Sequence, residues 1–327
     1  MTTLMIYGAA GYTGRMTTEH ARAAGLDLVL AGRAEPAIKQ LAAETDLPVR
    51  VFAVDDKAAA DSALQGIKVL LNCAGPFMRT AEPLMLACLR NGVHYLDIAA
   101  ELDSYRLAEK LDAAAVAAGV MLLPGSGGSV AMLGSLAAHA LERVEHPHSI
   151  SIALHVSGSM SRGSAISASE NLTTETLARI DGQLVSRREN DNRLFDFGAG
   201  DVSCFPVTLP DLITIWRATS VPNIETFVYV AGDAFPEGDL AKLPDGPTAE
   251  QRLASRYHAA VEVVAADGTV TRAILETVSG YIFTPMAAAE AARRVLAGEA
   301  RFGFQTPAGL FGPGFATTIA DTSIVDV

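Results

Sequence analysis

Apolar residues in the first 125 positions fall into short unbroken runs and do not alternate with polar ones. The runs are Leu4–Tyr7, Leu28–Ala31, Val49–Val54, Val69–Asn72, Tyr95–Ile98 and Val120–Leu123. A strand that reads as continuously apolar is buried on both faces, the pattern of a parallel sheet. Between the runs, Thr13–Ala24, Pro36–Glu44, Lys57–Leu64, Glu82–Asn91 and Ser104–Ala118 read as helices. Six strands in βαβ succession predict a doubly wound α/β sheet. Beyond Pro124 the texture changes: Ile150–Val156, Ala259–Val264 and Val270–Thr277 read as antiparallel strands, the last two joined by an Asp267-Gly268 turn. Gly158–Ser169 and Phe235–Pro247 read as loops. A last helix is expected with Thr284 as N-cap, Pro285 at its first position, Arg293 and Arg294 near its end and Gly298 closing it.

The 327 residues are 50% hydrophobic and 19% charged, which fits a compact globular protein with room for two domains. A formal charge of −12 disfavours nucleic acid and membrane surfaces as partners, since both are polyanionic. The stretch from Ala113 to Ala140 has no charged residue, but Pro124-Gly-Ser-Gly-Gly-Ser129 divides it into pieces too short to span a bilayer. Cys73, Cys88 and Cys204 form no close pair, and neither they nor the histidines have metal-ligand spacing, so no disulfide and no metal are expected. With no basic segment ahead of the first strand, a cytoplasmic protein is expected.

The chemistry begins where the first strand meets Gly8-Ala9-Ala10-Gly11-Tyr12-Thr13-Gly14. A strand that stops at a glycine turn and restarts as a helix gathers backbone N–H groups and a positive helix end at one point. That point attracts phosphate, and its place before a second strand marks a dinucleotide-binding domain. Gly8 allows the turn, Gly11 a close approach of pyrophosphate and Gly14 close helix packing, with Ala10, Tyr12 and Thr13 completing the cradle. An NAD-specific domain carries an acid at the end of its second strand; here that place reads Ala31-Gly32-Arg33. A guanidinium there can bind a 2′-phosphate, which favours NADP over NAD; the competing reading is an arginine facing solvent or capping the next helix.

Asp55 follows the third strand, either beside the adenine or as a solvated turn residue. Asn72, Cys73, Ala74, Gly75 and Pro76 follow the fourth, where ligands of such sheets lie. Cys73 reads as a small buried filler, for want of a partner histidine. Tyr95, Asp97 and Glu101 are candidate catalytic groups, as proton donors or as holders of a substrate amine. The rival assignment has Asp97 capping the next turn and Tyr95 packed in the core. Arg162 and Ser164 are candidate substrate-binding residues on a glycine-flanked loop.

These residues resemble the saccharopine dehydrogenase-like oxidoreductases. GAAGYTGR, AGR at 31–33, NCAGPF at 72–77, YLDIAAE at 95–101, SRGS at 161–164, DGQLV at 181–185, VPNIE at 221–225, GYIFT at 280–284 and GFQTPAGLFG at 303–312 look like successive blocks of that family. The resemblance implies a Rossmann domain, expected over 1–125, and a second α+β domain with a mixed sheet over 126–284. A C-terminal helix and tail over 285–327 would pack back near the first. It also implies a nicotinamide cofactor, usually NADP; a small-molecule substrate is expected, and the low charge and apolar second domain leave room for a homodimer. The family's aromatic residue and aspartate after P-G-x-G are absent from Pro124–Ser129, and Ala100 stands where glycine is commoner. The expected function is hydride transfer between NADPH and a C=O, C=N or conjugated C=C acceptor; the alternative is a non-catalytic NADP(H) sensor.

Overall fold

A computed structural model describes residues 3–170, 175–187, 191–231 and 239–327. The chain divides into two compact units, one of Met1–Gly128 with Thr284–Gln305, the other of Ser129–Phe283 with Thr306–Val327.

The first unit alternates strand and helix: β1 (Thr3–Tyr7), α1 (Tyr12–Ala23), β2 (Asp27–Gly32), α2 (Glu35–Thr45), β3 (Val49–Val51), α3 (Lys57–Ala63), β4 (Val69–Asn72), α4 (Phe77–Asn91), β5 (His94–Asp97), α5 (Leu102–Lys110), α6 (Asp112–Ala117) and β6 (Met121–Leu123). These strands and a late one, β15 (Gly303–Phe304), form a seven-stranded sheet in the order β15-β6-β5-β4-β1-β2-β3, parallel throughout. Leu4, Met5, Ile6, Val69, Leu70, Leu71, Leu96 and Leu122 have no exposed surface, so the unbroken apolar runs do mark strands covered on both faces.

Several boundaries differ from the sequence reading. The third strand ends at Val51, short of Val54, because it lies at the sheet edge, while Phe52 turns inward to pack its ring 4.9 Å from that of Tyr7. The fourth helix starts at Phe77, well before Glu82, and carries Pro83 inside it. The single helix expected over Ser104–Ala118 is two, broken at Leu111, so that the Asp112 carboxylate accepts the Phe304 N–H at 2.7 Å.

The second unit holds α7 (Gly128–Leu141), β7 (Pro147–Ser157), α8 (Arg162–Glu170), β8 (Leu177–Ile180), β9 (Gln183–Ser186), β10 (Arg193–Asp196), β11 (Asp201–Pro206), α9 (Asp211–Thr219), β12 (Asn223–Ala231), α10 (Ala249–Ala254), β13 (Arg256–Ala265) and β14 (Val270–Val278). After them come α11 (Gly280–Leu296), α12 (Pro307–Phe311) and β16 (Ser323–Asp326), with α11 continuing into the first unit. A nine-stranded mixed sheet runs β10-β11-β12-β7-β13-β14-β16, with β8 and β9 added beside β12; only β7 and β12 run parallel. The β13–β14 hairpin turns at Gly268 (φ +87°), as Asp267-Gly268 predicts.

Two sequence expectations fail here. Part of Gly158–Ser169 is helical, because the Ser161 hydroxyl accepts the Ser164 N–H and caps α8. The last helix begins at Gly280, so Thr284 is not its N-cap and Pro285 lies inside it. The Ser279 carbonyl accepts the Ile282 and Phe283 N–H groups at 2.9 Å, and full burial of Phe283 outweighs the bond that Pro285 forfeits. Of Phe235–Pro247, residues 235–238 lie outside the described part, and Leu240–Lys242 forms one 3₁₀ turn. Among the described residues no helix is long and apolar enough to cross a membrane, and no cluster could hold a metal ion.

Candidate functional site

The glycine turn is locked by backbone. Gly8, at φ +80°, donates its N–H to the Ala31 carbonyl at 2.8 Å, and a Cβ on it would fall 2.8 Å from the Ala74 nitrogen. The turn closes as the Gly11 N–H reaches the Gly8 carbonyl at 3.0 Å. A Cβ on Gly14 would come within 2.2 Å of that same carbonyl oxygen, so α1 can sit this close to β1 only without a side chain there. Gly11, by contrast, is exposed, and a Cβ on it would meet only the Gly8 oxygen, at 3.2 Å. The turn is thus packed on its inner side and open at Gly11, beside Tyr12 and Thr13 in the first turn of α1. Ala10 helps fix it by accepting from the Arg15 guanidinium at 3.3 Å.

Arg33 and Asp55, both exposed, gather with Tyr7 beyond the ends of β1, β2 and β3. Burial pushes the Tyr7 hydroxyl up to about 12, the Arg33 charge opposes this and the Asp55 charge adds to it. Tyr7, which donates to the Phe52 carbonyl at 3.1 Å, went unnoticed in the sequence because it ends an apolar run.

Beyond β4 and β5 the polar residues form one connected chain. Asn72, fully buried, accepts from the Ala74 N–H at 3.0 Å and donates to the hydroxyls of Thr80 (3.0 Å) and Tyr95 (3.2 Å). Tyr95 in turn donates to Asp97 Oδ2 at 2.9 Å. Asp97 Oδ1 accepts the N–H groups of Ala99 (2.9 Å) and Gly125 (2.8 Å), and the Asp97 carbonyl accepts both the N–H and the hydroxyl of Ser126 at 2.8 Å. Glu101 accepts the N–H groups of Phe77 (3.0 Å) and Met78 (2.6 Å) and so caps α4 from a distance. Tyr95 and Asp97 have no exposed surface and Glu101 has 4%, and every one of them is spent on protein groups. They brace the turns 73–76 and 124–126, which is the capping and core-packing reading. Burial pushes the Asp97 carboxyl up to about 6 against the pull of its three donors. Asp97→Asn would leave the Tyr95 hydroxyl proton without an acceptor. It should destabilise the protein by about 1–3 kcal/mol in chemical denaturation, and an unchanged midpoint would contradict the brace.

Cys73 keeps part of its surface, its sulfur lies 4.0 Å from the Thr17 hydroxyl, and burial pushes its pKa up to about 12. Gly75 and Pro76 complete the turn, with Pro76 as N-cap of α4.

In the second unit Arg162 is paired with Asp245 and donates to the Leu243 carbonyl at 3.1 Å. Ser164 lies in a cluster with Ser161 and Tyr281: the Tyr281 hydroxyl accepts the Ser161 N–H at 2.7 Å and donates to Ser164 Oγ at 3.0 Å. Sequence reading missed Tyr281, whose only signal is its place in GYIFT at 280–284.

Residues 4–123 match the family model described as saccharopine dehydrogenase NADP binding domain. The saccharopine dehydrogenase-like oxidoreductase of Mus musculus is 26% identical over 144 residues, covering 38% of this chain and 34% of that protein. The trans-acting enoyl reductase of Mycobacterium leprae is 30% identical over 106 residues, covering 30% of this chain and 25% of its own. The chain therefore spans about a third or less of the length of these curated relatives. Among solved structures, apo saccharopine dehydrogenase (L-Glu forming) of Saccharomyces cerevisiae superposes with a TM-score of 0.65 at 13% identity, over 100% of both chains, a likeness of fold. Residues 4–123 thus match a saccharopine dehydrogenase NADP binding domain, and over about a third of its length the chain is similar to saccharopine dehydrogenase-like oxidoreductases.

Proposed function

We propose that the protein is an NADP-dependent oxidoreductase that moves hydride between NADPH and a small acceptor bearing C=O, C=N or a conjugated C=C bond. The observation that carries this is the glycine turn, closed behind by the Gly14 contact and open at Gly11, with Arg33 where an NAD-selective acid would stand. The residues present fit the cofactor. Gly8, Ala10, Gly11, Tyr12, Thr13 and Gly14 would hold its pyrophosphate, Arg33 its 2′-phosphate and Asp55 the adenosine end. The segment Asn72, Cys73, Ala74, Gly75 and Pro76 would border its centre. NADPH, when bound, supplies the hydride; the acceptor gains that hydride and one proton from solvent, and NADP⁺ is left. Tyr95, Asp97 and Glu101 act as positioning residues, holding the turns after β4 and β6 in place. The mycobacterial relative, an enoyl reductase by name, supports keeping conjugated C=C bonds among the acceptors.

Arg33→Ala should narrow the preference for NADPH over NADH roughly 10- to 100-fold, the worth of charge-assisted bonds to one phosphate. Fluorescence titration with both cofactors measures it. Equal affinity for the two in the unaltered protein would sink the NADP assignment. Tight NADPH binding with no oxidation by any carbonyl, imine or enone would favour a sensor over an enzyme.

A further inference from the structure

The Ser161–Ser164–Tyr281 cluster at the start of α8 shows which kind of atom it can bind. Ser164 Oγ accepts from the Tyr281 hydroxyl at 3.0 Å and from the Ser161 hydroxyl at 2.9 Å. A serine oxygen has two lone pairs, and both are now taken. Its partners are themselves fixed: the Ser161 N–H donates to the Tyr281 oxygen at 2.7 Å, and the Ser164 N–H to Ser161 Oγ at 3.2 Å. The one uncommitted element is the Ser164 hydroxyl proton, for which no described residue serves as acceptor, on a half-buried side chain. Arg162, the neighbouring cation, is already paired with Asp245 and the Leu243 carbonyl.

We propose that Ser164 is a substrate-binding residue that acts only as a donor, so that the acceptor it selects carries a lone pair on the atom that meets it. Ser161 and Tyr281 are the positioning residues that fill its lone pairs. The inference rests on the oxidoreductase reading and narrows it: a ketone, an aldehyde or an enone fits, because its carbonyl oxygen can receive the proton. A cationic iminium does not, because it has no lone pair to offer and would need an acceptor in its place.

The test uses the full chain loaded with NADPH, with 2-cyclohexenone and N-methyl-1-pyrrolinium as probes. NADPH affinity is titrated separately for each variant. Ser164→Ala should lower kcat/KM for cyclohexenone roughly tenfold, the worth of one hydrogen bond, with NADPH affinity unchanged. Tyr281→Phe frees a lone pair on Ser164. It should therefore raise turnover of the pyrrolinium relative to the enone at least severalfold, a shift in selectivity that mere loosening of α8 would not produce. An enone rate untouched by Ser164→Ala, or a wild-type preference for the pyrrolinium, overturns the proposal. If NADPH binds but neither probe is reduced, the hydride-transfer reading fails on its own. Calorimetry of cyclohexanone with the NADP⁺-loaded protein then reads the contact directly: tenfold weaker binding in Ser164→Ala supports it, and equal or absent binding in the unaltered protein overturns it.

Discussion

Gly14→Ala should abolish nicotinamide-cofactor binding. The added Cβ would lie 2.2 Å from the Gly8 carbonyl oxygen and 2.9 Å from the Ala9 Cα, and both are backbone atoms that no rotamer change can move aside. Ordinary carbon–oxygen contact begins near about 3.3 Å, so α1 must retreat from the turn. The turn cannot follow, because Gly8 is tied to the Ala31 carbonyl and lies against Ala74. The N–H groups at the head of α1 would then be misplaced by roughly 1 Å, a displacement that can weaken function a hundredfold. Overpacking would also lower stability by about 1–3 kcal/mol. Fluorescence titration and thermal melting read the two effects, and a variant that binds NADPH normally would show that the Gly8–Gly14 contact does not shape the site.

Asp211→Asn should make the protein's stability markedly less sensitive to a rise in pH from about 4 to 7. Asp211 opens α9 with no exposed surface, and neither carboxylate oxygen has a hydrogen-bond partner. Burial pushes its carboxyl up to about 7. The folded state thus holds a proton that the unfolded chain, with a carboxyl near about 3.9, releases earlier. Stability contributed by the protonated form is present in acid and is lost as pH rises from about 4 through 7. Three pH units correspond to roughly 4 kcal/mol. The asparagine amide does not titrate, so the change in melting temperature on substitution should be several degrees more favourable at pH 8 than at pH 5. The difference between the two pH values isolates the charge from any packing effect of the amide. Equal shifts at both would mean that Asp211 is ionised without penalty.

The core of the first unit was legible because nothing polar interrupts Leu4–Tyr7 or Val69–Leu71, and burial on both faces leaves that mark in composition. The strand β10 left no such mark. Of Arg193-Leu194-Phe195-Asp196 only Phe195 is buried, and Arg193 reaches across to Ser151 and Glu262, so pairing with β11 sustains the strand where local pattern does not. Pro285 carried a true local preference for a helix start, which Phe283 overrode by burying its ring. The polar cluster Tyr95, Asp97 and Glu101 could be read as a group, but not what it does. Its partners are backbone N–H groups of Phe77, Met78, Ala99 and Gly125, and a backbone donor has no letter in the sequence.

The strand β15 bears on how the first domain can be handled as a part. The stretch recognised from sequence stops at residue 123, yet β6 ends that stretch as an inner strand. Its outer neighbour arrives from Gly303 and Phe304, with the Gln305 N–H on the Leu122 carbonyl at 2.8 Å. A piece cut at the recognised boundary would bare the whole edge of β6, a row of unpaired donors and acceptors that invites another chain to add itself. What is inherited as a contiguous block is therefore not what folds as one. The domain becomes whole only once the ribosome has read past Phe304.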